Sequence, residues 1–189
     1  MKTNKKNRQG FSLSVLLMLG LACPISAQTT IEAQTKTTMT EVVRTPIYDA
    51  PQGKEVYIPQ DLRDNDFTKA ASKWSFARCA YTDDVIVFWE KPFGPDLSKA
   101  PDLEGHNMKV DLMNLMGRIQ TFYDYYKNDL KFIKPGSNAD KYRMMVMLNY
   151  SLDGTAYGGT YDNTIGAFWA APNRLKDSKL NTVAHELGH

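Results

Sequence analysis

Along this chain the spacing of apolar positions changes several times, and each change predicts a different element. Residues 11–22 form one short apolar run after a basic stretch. Residues 28 to about 45 are rich in Thr and Gln and have almost no apolar period, so they read as a leader or linker. Residues 46–73 carry Pro46, Pro51, Gly53 and Pro59 among scattered charges and read as irregular structure. From Trp74 the pattern is that of a domain. Val85, Ile86, Val87, Phe88 and Trp89 are a β-branched and aromatic run after Asp83 and Asp84, which predicts a strand. A loop through Pro92, Gly94, Pro95 and Pro101 follows.

Met108, Leu112, Leu115, Met116, Ile119, Phe122, Tyr123, Tyr126 and Leu130 then recur at steps of three and four, with one-residue steps between. That spacing predicts a long amphipathic helix over residues 108–131, stopped by Pro135-Gly136. Its Met and aromatic stripe reads as core rather than as a cofactor box. Residues 142–148 are apolar on both faces and predict a central strand. Asp153-Gly154 marks a turn. Tyr157-Gly158-Gly159-Thr160-Tyr161 reads as a Gly-rich loop, but it lacks the Gly-Lys-Ser/Thr ending and wider glycine spacing of a phosphate loop. Residues 165–170 predict a third strand, ended by Pro172-Asn173, and a last helix is expected from Asp177 or Ser178 onward.

Composition alters this picture mainly at the N-terminus. At 189 residues, with 42% hydrophobic and 23% charged positions, the chain can build one domain with a real core. The formal net charge of +2 conceals an asymmetry. Of the 23 basic residues, Lys2, Lys5, Lys6 and Arg8 precede residue 28, and none of the 21 acids does, which leaves 19 bases against 21 acids beyond it. Such a balance is no footprint for nucleic acid or an anionic membrane. The basic start, the apolar run and Pro24-Ile25-Ser26-Ala27 have the layout of a secretory signal peptide over residues 1–27, cut near Ala27. The apolar run falls short of the roughly 20 residues that span a bilayer. The expected location is therefore exported: periplasmic, cell-surface or extracellular. The alternative is a lipoprotein anchored at Cys23. Export would leave Cys79 as the only cysteine, and its neighbours Phe76, Ala77, Ala80 and Tyr81 mark it as a small buried hydrophobe rather than a nucleophile.

The last helix carries the candidate chemistry. Leu180, Val183, Ala184 and Leu187 form one apolar stripe. At about 100° per residue, His185 and His189 fall roughly opposite that stripe. His185-Glu186-Leu187-Gly188-His189 spells HExxH, in which two imidazoles one turn apart bind zinc and the carboxylate serves the water beside it. Two of the three histidines of the chain lie in it; the other is His106.

Val183 to His189 resembles the active-site helix of the zincin metallopeptidases. The order of a long helix, strands and the motif helix over residues 74–189 resembles the upper half of a zincin domain. Phe88-Trp89-Glu90, Lys141-Tyr142-Arg143-Met144, Ile165-Gly166-Ala167-Phe168-Trp169 and the motif itself are similar to a largely uncharacterised family of secreted bacterial proteins predicted to be zinc peptidases. The resemblance implies an α+β fold with a twisted mixed sheet, Zn2+ on His185 and His189, and Glu186 as general base in peptide-bond hydrolysis. It further implies that residues 165–170 are the edge strand on which an extended peptide or protein substrate pairs. Tyr157 and Tyr161, in the loop before that strand, stay outside the expected site.

This chain departs from the zincin pattern at its end. Metzincins place a third ligand a few residues after the second histidine, and gluzincins place a glutamate on a later helix. The expectation is an N-terminal part of a catalytic domain, incomplete after His189, that binds zinc weakly and has little peptidase activity. EDTA-sensitive casein hydrolysis by residues 28–189 would contradict it. The alternative reading is a secreted binding or adhesion module with a non-catalytic zincin-like fold. Hydrolysis of another ester or amide bond by the same zinc chemistry also stays open.

Overall fold

The structure, a computed structural model, describes residues 53–189. The expected signal peptide, Cys23 and the leader over residues 28–45 lie outside the described residues. Five strands make one mixed sheet: β1 (Cys79–Tyr81), β2 (Val85–Trp89), β3 (Met144–Leu148), β4 (Ala156–Tyr161) and β5 (Ile165–Ala170), in the order β1-β2-β3-β5-β4. Strands β2, β3 and β5 run parallel, and β1 and β4 close the two edges antiparallel. The fold is thus α+β with a mixed sheet and few helices.

The three parallel strands are the ones whose apolar runs are readable in the sequence. All five residues of β2 are buried, as are Met145 to Leu148 of β3, because side chains on both faces meet other layers. One face carries Val85, Val87, Val146, Leu148 and Phe168 and is covered by helices α1 (Leu112–Asp124) and α3 (Asn181–Leu187). The other face carries Ile86, Phe88, Met145, Met147 and Ala167. Phe67 and Phe76 cover it, with ring centroids 5.0 and 5.5 Å from that of Phe88. Residues 53–73 are irregular apart from a 3-10 turn at Gln60–Leu62, and they pack here through Val56, Tyr57, Ile58 and Leu62. Glu55 joins the sheet's margin, bonding Lys141 and Arg143 through its backbone at 3.0 and 2.9 Å.

The long helix begins later than its apolar spacing predicts. Met108 and Val110 are buried, but in an extended approach that bonds Val110 N–H to the Leu97 carbonyl at 3.1 Å. Asp111 then caps the helix, accepting the Asn114 N–H at 2.9 Å. Past Asp124 the chain widens into a π-helical turn at Tyr125–Asp129. A short helix α2 (Asn138–Lys141) leads into β3.

Two corrections concern the cleft. The expected edge strand at residues 165–170 is interior: β5 pairs with β3 on one side and β4 on the other. The edge is β4, whose Tyr157 to Tyr161 segment has the glycine content of a loop. Its two adjacent glycines carry no β propensity of their own, and pairing with β5 makes them a strand. The last helix also starts later than Asp177 or Ser178. Leu180 adopts a left-handed conformation (φ 53°) and is buried, while Asp177 caps the preceding turn by accepting Lys179 N–H at 3.0 Å. Among the described residues no helix is long and apolar enough to cross a membrane.

Candidate metal centre

Helix α3 is fixed by its apolar stripe. Leu180, Val183 and Leu187 are buried in the core between α1 and the sheet, each contributing about 1.5–3 kcal/mol of burial. Ala184, on the same stripe, is half-buried. With that face pinned, the helical period turns His185 and His189 outward, and both are exposed. Their Nε2 atoms come within 3.2 Å of each other, and the rings meet edge to face with centroids 4.8 Å apart.

That separation is a test of whether the pair suits a metal. Two nitrogens bound to one tetrahedral zinc at about 2.0–2.1 Å stand about 3.3 Å from each other. The distance between the two nitrogens thus matches that of two adjacent positions around such an ion, and with no metal between them the rings meet as a hydrogen-bonded pair. Among the described residues no third His, Cys, Asp or Glu joins them in a metal-holding group. His106 lines a separate cavity of about 150 Å³ with Ser151, Asn173 and Lys176, and neither motif histidine borders it.

Glu186 lies on a different side of the helix from the imidazoles and is 7% exposed. It faces β4, where Gly158 lets it approach: a β-carbon on Gly158 would sit 3.2 Å from Glu186 Oε2. None of the described residues donates a hydrogen bond to this carboxylate. Gly158 is a residue the sequence reading missed as part of the site. Its only signal was an unexplained glycine in a stretch that is not a phosphate loop.

Tyr157 and Tyr161 alternate with Gly158 along β4 and so point to the opposite face of the sheet. There Tyr157 stacks on Trp169 at 5.5 Å with near-parallel planes, and Tyr161 packs on the same ring at 4.8 Å. They contribute to the aromatic face and not to the histidine side. Cys79 is buried and its thiol donates to the Phe76 carbonyl at 3.3 Å. Burial pushes that thiol up to about 12, against a smaller opposing pull from Arg143.

The sheet and the histidine pair together define an α+β protein with a candidate two-histidine metal centre on its last helix. Residues 49–189 match the family described as a family of unknown function (DUF6055), and the chain belongs to that family. No curated protein and no solved structure matches it.

Proposed function

We propose that this chain is a zinc metallopeptidase of the zincin type, exported by its N-terminal signal. The observation that carries the proposal is the 3.2 Å separation of the His185 and His189 Nε2 atoms, with Glu186 between them in sequence and turned to the flank. His185 and His189 would hold Zn2+ as neutral imidazoles. When bound, zinc supplies a Lewis acid and lowers the pKa of water to about 7. A catalytic zinc takes three protein ligands, of which these are two.

The chain's own residues have distinct tasks in this reading. Glu186 accepts a proton from the attacking water at its carboxylate and delivers it to the leaving amine. The core-facing apolar stripe of α3 turns both imidazoles to the same open side. Among the described residues β4 pairs only with β5, and its other side would take an extended peptide as a further strand beside Glu186. This moves the expected substrate rail from residues 165–170 to β4.

The test pairs zinc titration with peptide hydrolysis. Glu186→Gln should retain zinc, and His185→Ala or His189→Ala should lose it. Any hydrolysis of casein should be chelator-sensitive and should vanish in Glu186→Gln. Zinc binding that ignores both histidine substitutions would overturn the proposal. In the full-length protein, retained zinc with no hydrolysis to abolish would favour the binding module.

A further inference from the structure

The motif helix is also gripped from the α1 side by one side chain. Tyr126, in the π-helical turn after α1, donates its hydroxyl to the Ala184 carbonyl at 2.7 Å. That carbonyl has room for it because the end of α3 tightens. Gly188 N–H donates to His185 at 3.1 Å and His189 N–H to Glu186 at 3.4 Å, both three residues back. Bonds of that kind pass over the Ala184 oxygen, which would otherwise serve the next turn.

The same phenol meets the helix a second time. A β-carbon on Gly188 would lie 3.3 Å from the Tyr126 hydroxyl oxygen and 3.7 Å from its Cζ. Gly188 has an ordinary φ of −78°, so what opposes a side chain there is space and not backbone conformation, with the His185 carbonyl also 3.3 Å from the added β-carbon. Phe132 stacks on the Tyr126 ring with centroids 5.8 Å apart and planes 5° from parallel. Its N–H also bonds the Tyr126 carbonyl at 3.0 Å. The phenol is thus backed by a neighbour as well as hydrogen-bonded.

These contacts fall at two informative places. Ala184 immediately precedes His185, and Gly188 immediately precedes His189. We propose that Tyr126 is a positioning residue of the metal centre. It fixes the backbone just ahead of each imidazole and so sets the distance between them. This rests on the zinc reading above. It also gives the small residue before the second histidine a cause that the motif alone does not supply.

The experiment uses the full chain, with Zn2+ titrated calorimetrically and Co2+ absorption reporting the coordination geometry. Tyr126→Phe keeps the ring and removes only the donor. It should weaken Zn2+ binding about tenfold, as outer-shell substitutions do, and change the Co2+ absorption bands. The Tm should fall only by the few degrees that one lost hydrogen bond costs. Gly188→Ala, which keeps the hydroxyl but crowds it, should shift affinity and spectrum in the same direction. Wild-type affinity and an unchanged Co2+ spectrum in Tyr126→Phe would overturn the proposal, and so would a fall in Tm alone. If the unsubstituted chain and His185→Ala bind Zn2+ alike, the zinc reading itself fails and takes this one with it. That result is distinct, because it appears without any change at Tyr126.

Discussion

Gly158 on the sheet edge and Glu186 on the last helix are held so close that no side chain fits between them. A β-carbon added to Gly158 would stand 3.2 Å from Glu186 Oε2 and 2.9 Å from the Phe168 β-carbon. The first contact is with a carboxylate that can swing. The second is with an atom fixed to the β5 backbone, so relief must come from movement of β4. The missing methyl group thus links the edge of the sheet to the carboxylate of the motif.

Gly158→Ala is therefore expected to cost about 1–3 kcal/mol of stability through overpacking. It should also lower any hydrolysis, while zinc binding through His185 and His189 persists. Gly159, whose added β-carbon would meet nothing within 4 Å, is the matched control, and Gly159→Ala should be close to neutral. Urea denaturation of the two variants beside zinc titration checks this. Equal stability of both variants would contradict the close-approach account.

A second prediction concerns Asp84, which ties three parts of the fold together at the start of β2. It pairs with Lys54 at 2.6 Å and Lys127 at 3.3 Å, and accepts Gln120 Nε2–H at 3.1 Å. Burial works against its charge, but the bonds from Lys54 and Gln120 and the nearby lysine charges outweigh burial and hold its pKa below the usual carboxylate value. A carboxylate depressed in the folded state stabilises above its unfolded pKa of about 4, and that stability drains away as pH falls through the folded value. Asp84→Asn should cost about 2 kcal/mol at neutral pH, because it strands the mostly buried Lys54. It should also flatten the acid limb of the stability profile. Asp124, whose pKa is raised chiefly by burial, acts in the opposite sense. An acid limb identical in wild type and Asp84→Asn would refute the assignment.

What the sequence made legible follows from what each element owes to its own side chains. Strands β2, β3 and β5 carry continuous apolar runs, and α1 carries its stripe, so their existence and type could be read directly. The start of α1 could not, because Met108 and Val110 are buried like helix residues while Asp111 places the cap after them. Strand β4 has almost no apolar signal, and only its register with β5, Tyr157 opposite Trp169 and Gly158 opposite Phe168, makes it a strand. The edge was misplaced for the same reason. Ile165 to Ala170 is apolar on both faces, the mark of an interior strand, but which strand lies outside it is a matter of pairing. HExxH named His185, Glu186 and His189 with their phase. Gly158 and Tyr126 stayed hidden because their roles are contacts 28 and 58 positions away in sequence, Gly158 to Glu186 and Tyr126 to Ala184.

Cys79 should be chemically silent in the folded protein. Burial holds its thiol near 12, so almost no thiolate exists at pH 8 to react. Peptide-resolved mass spectrometry after iodoacetamide treatment should find residue 79 unmodified in the native chain and fully alkylated in denaturant. Rapid native alkylation at pH 8 would show that the β1 edge opens far more often than its packing implies.

Arg78 offers the sharpest test of how the irregular N-terminal segment is held. Its guanidinium is buried and donates to the carbonyls of Ala70 at 2.6 Å, Ser72 at 2.5 Å, Lys73 at 3.0 Å and Trp89 at 3.4 Å. A planar fork with five donors can serve several carbonyls at once, and a lysine ammonium cannot reproduce that spread. Arg78→Lys should therefore cost about 3 kcal/mol through carbonyls left without a charged donor. The loss should be local as well as global, because three of the four acceptors lie in residues 70–73. Lys69 and Lys73 flank that stretch with exposed side chains, which makes them ready trypsin sites once the backbone loosens. Limited trypsinolysis should nick Arg78→Lys at these positions well before any cut in β2 or β3. Cleavage at the wild-type rate would mean that the segment is held by its aromatic packing on Phe88 and not by Arg78.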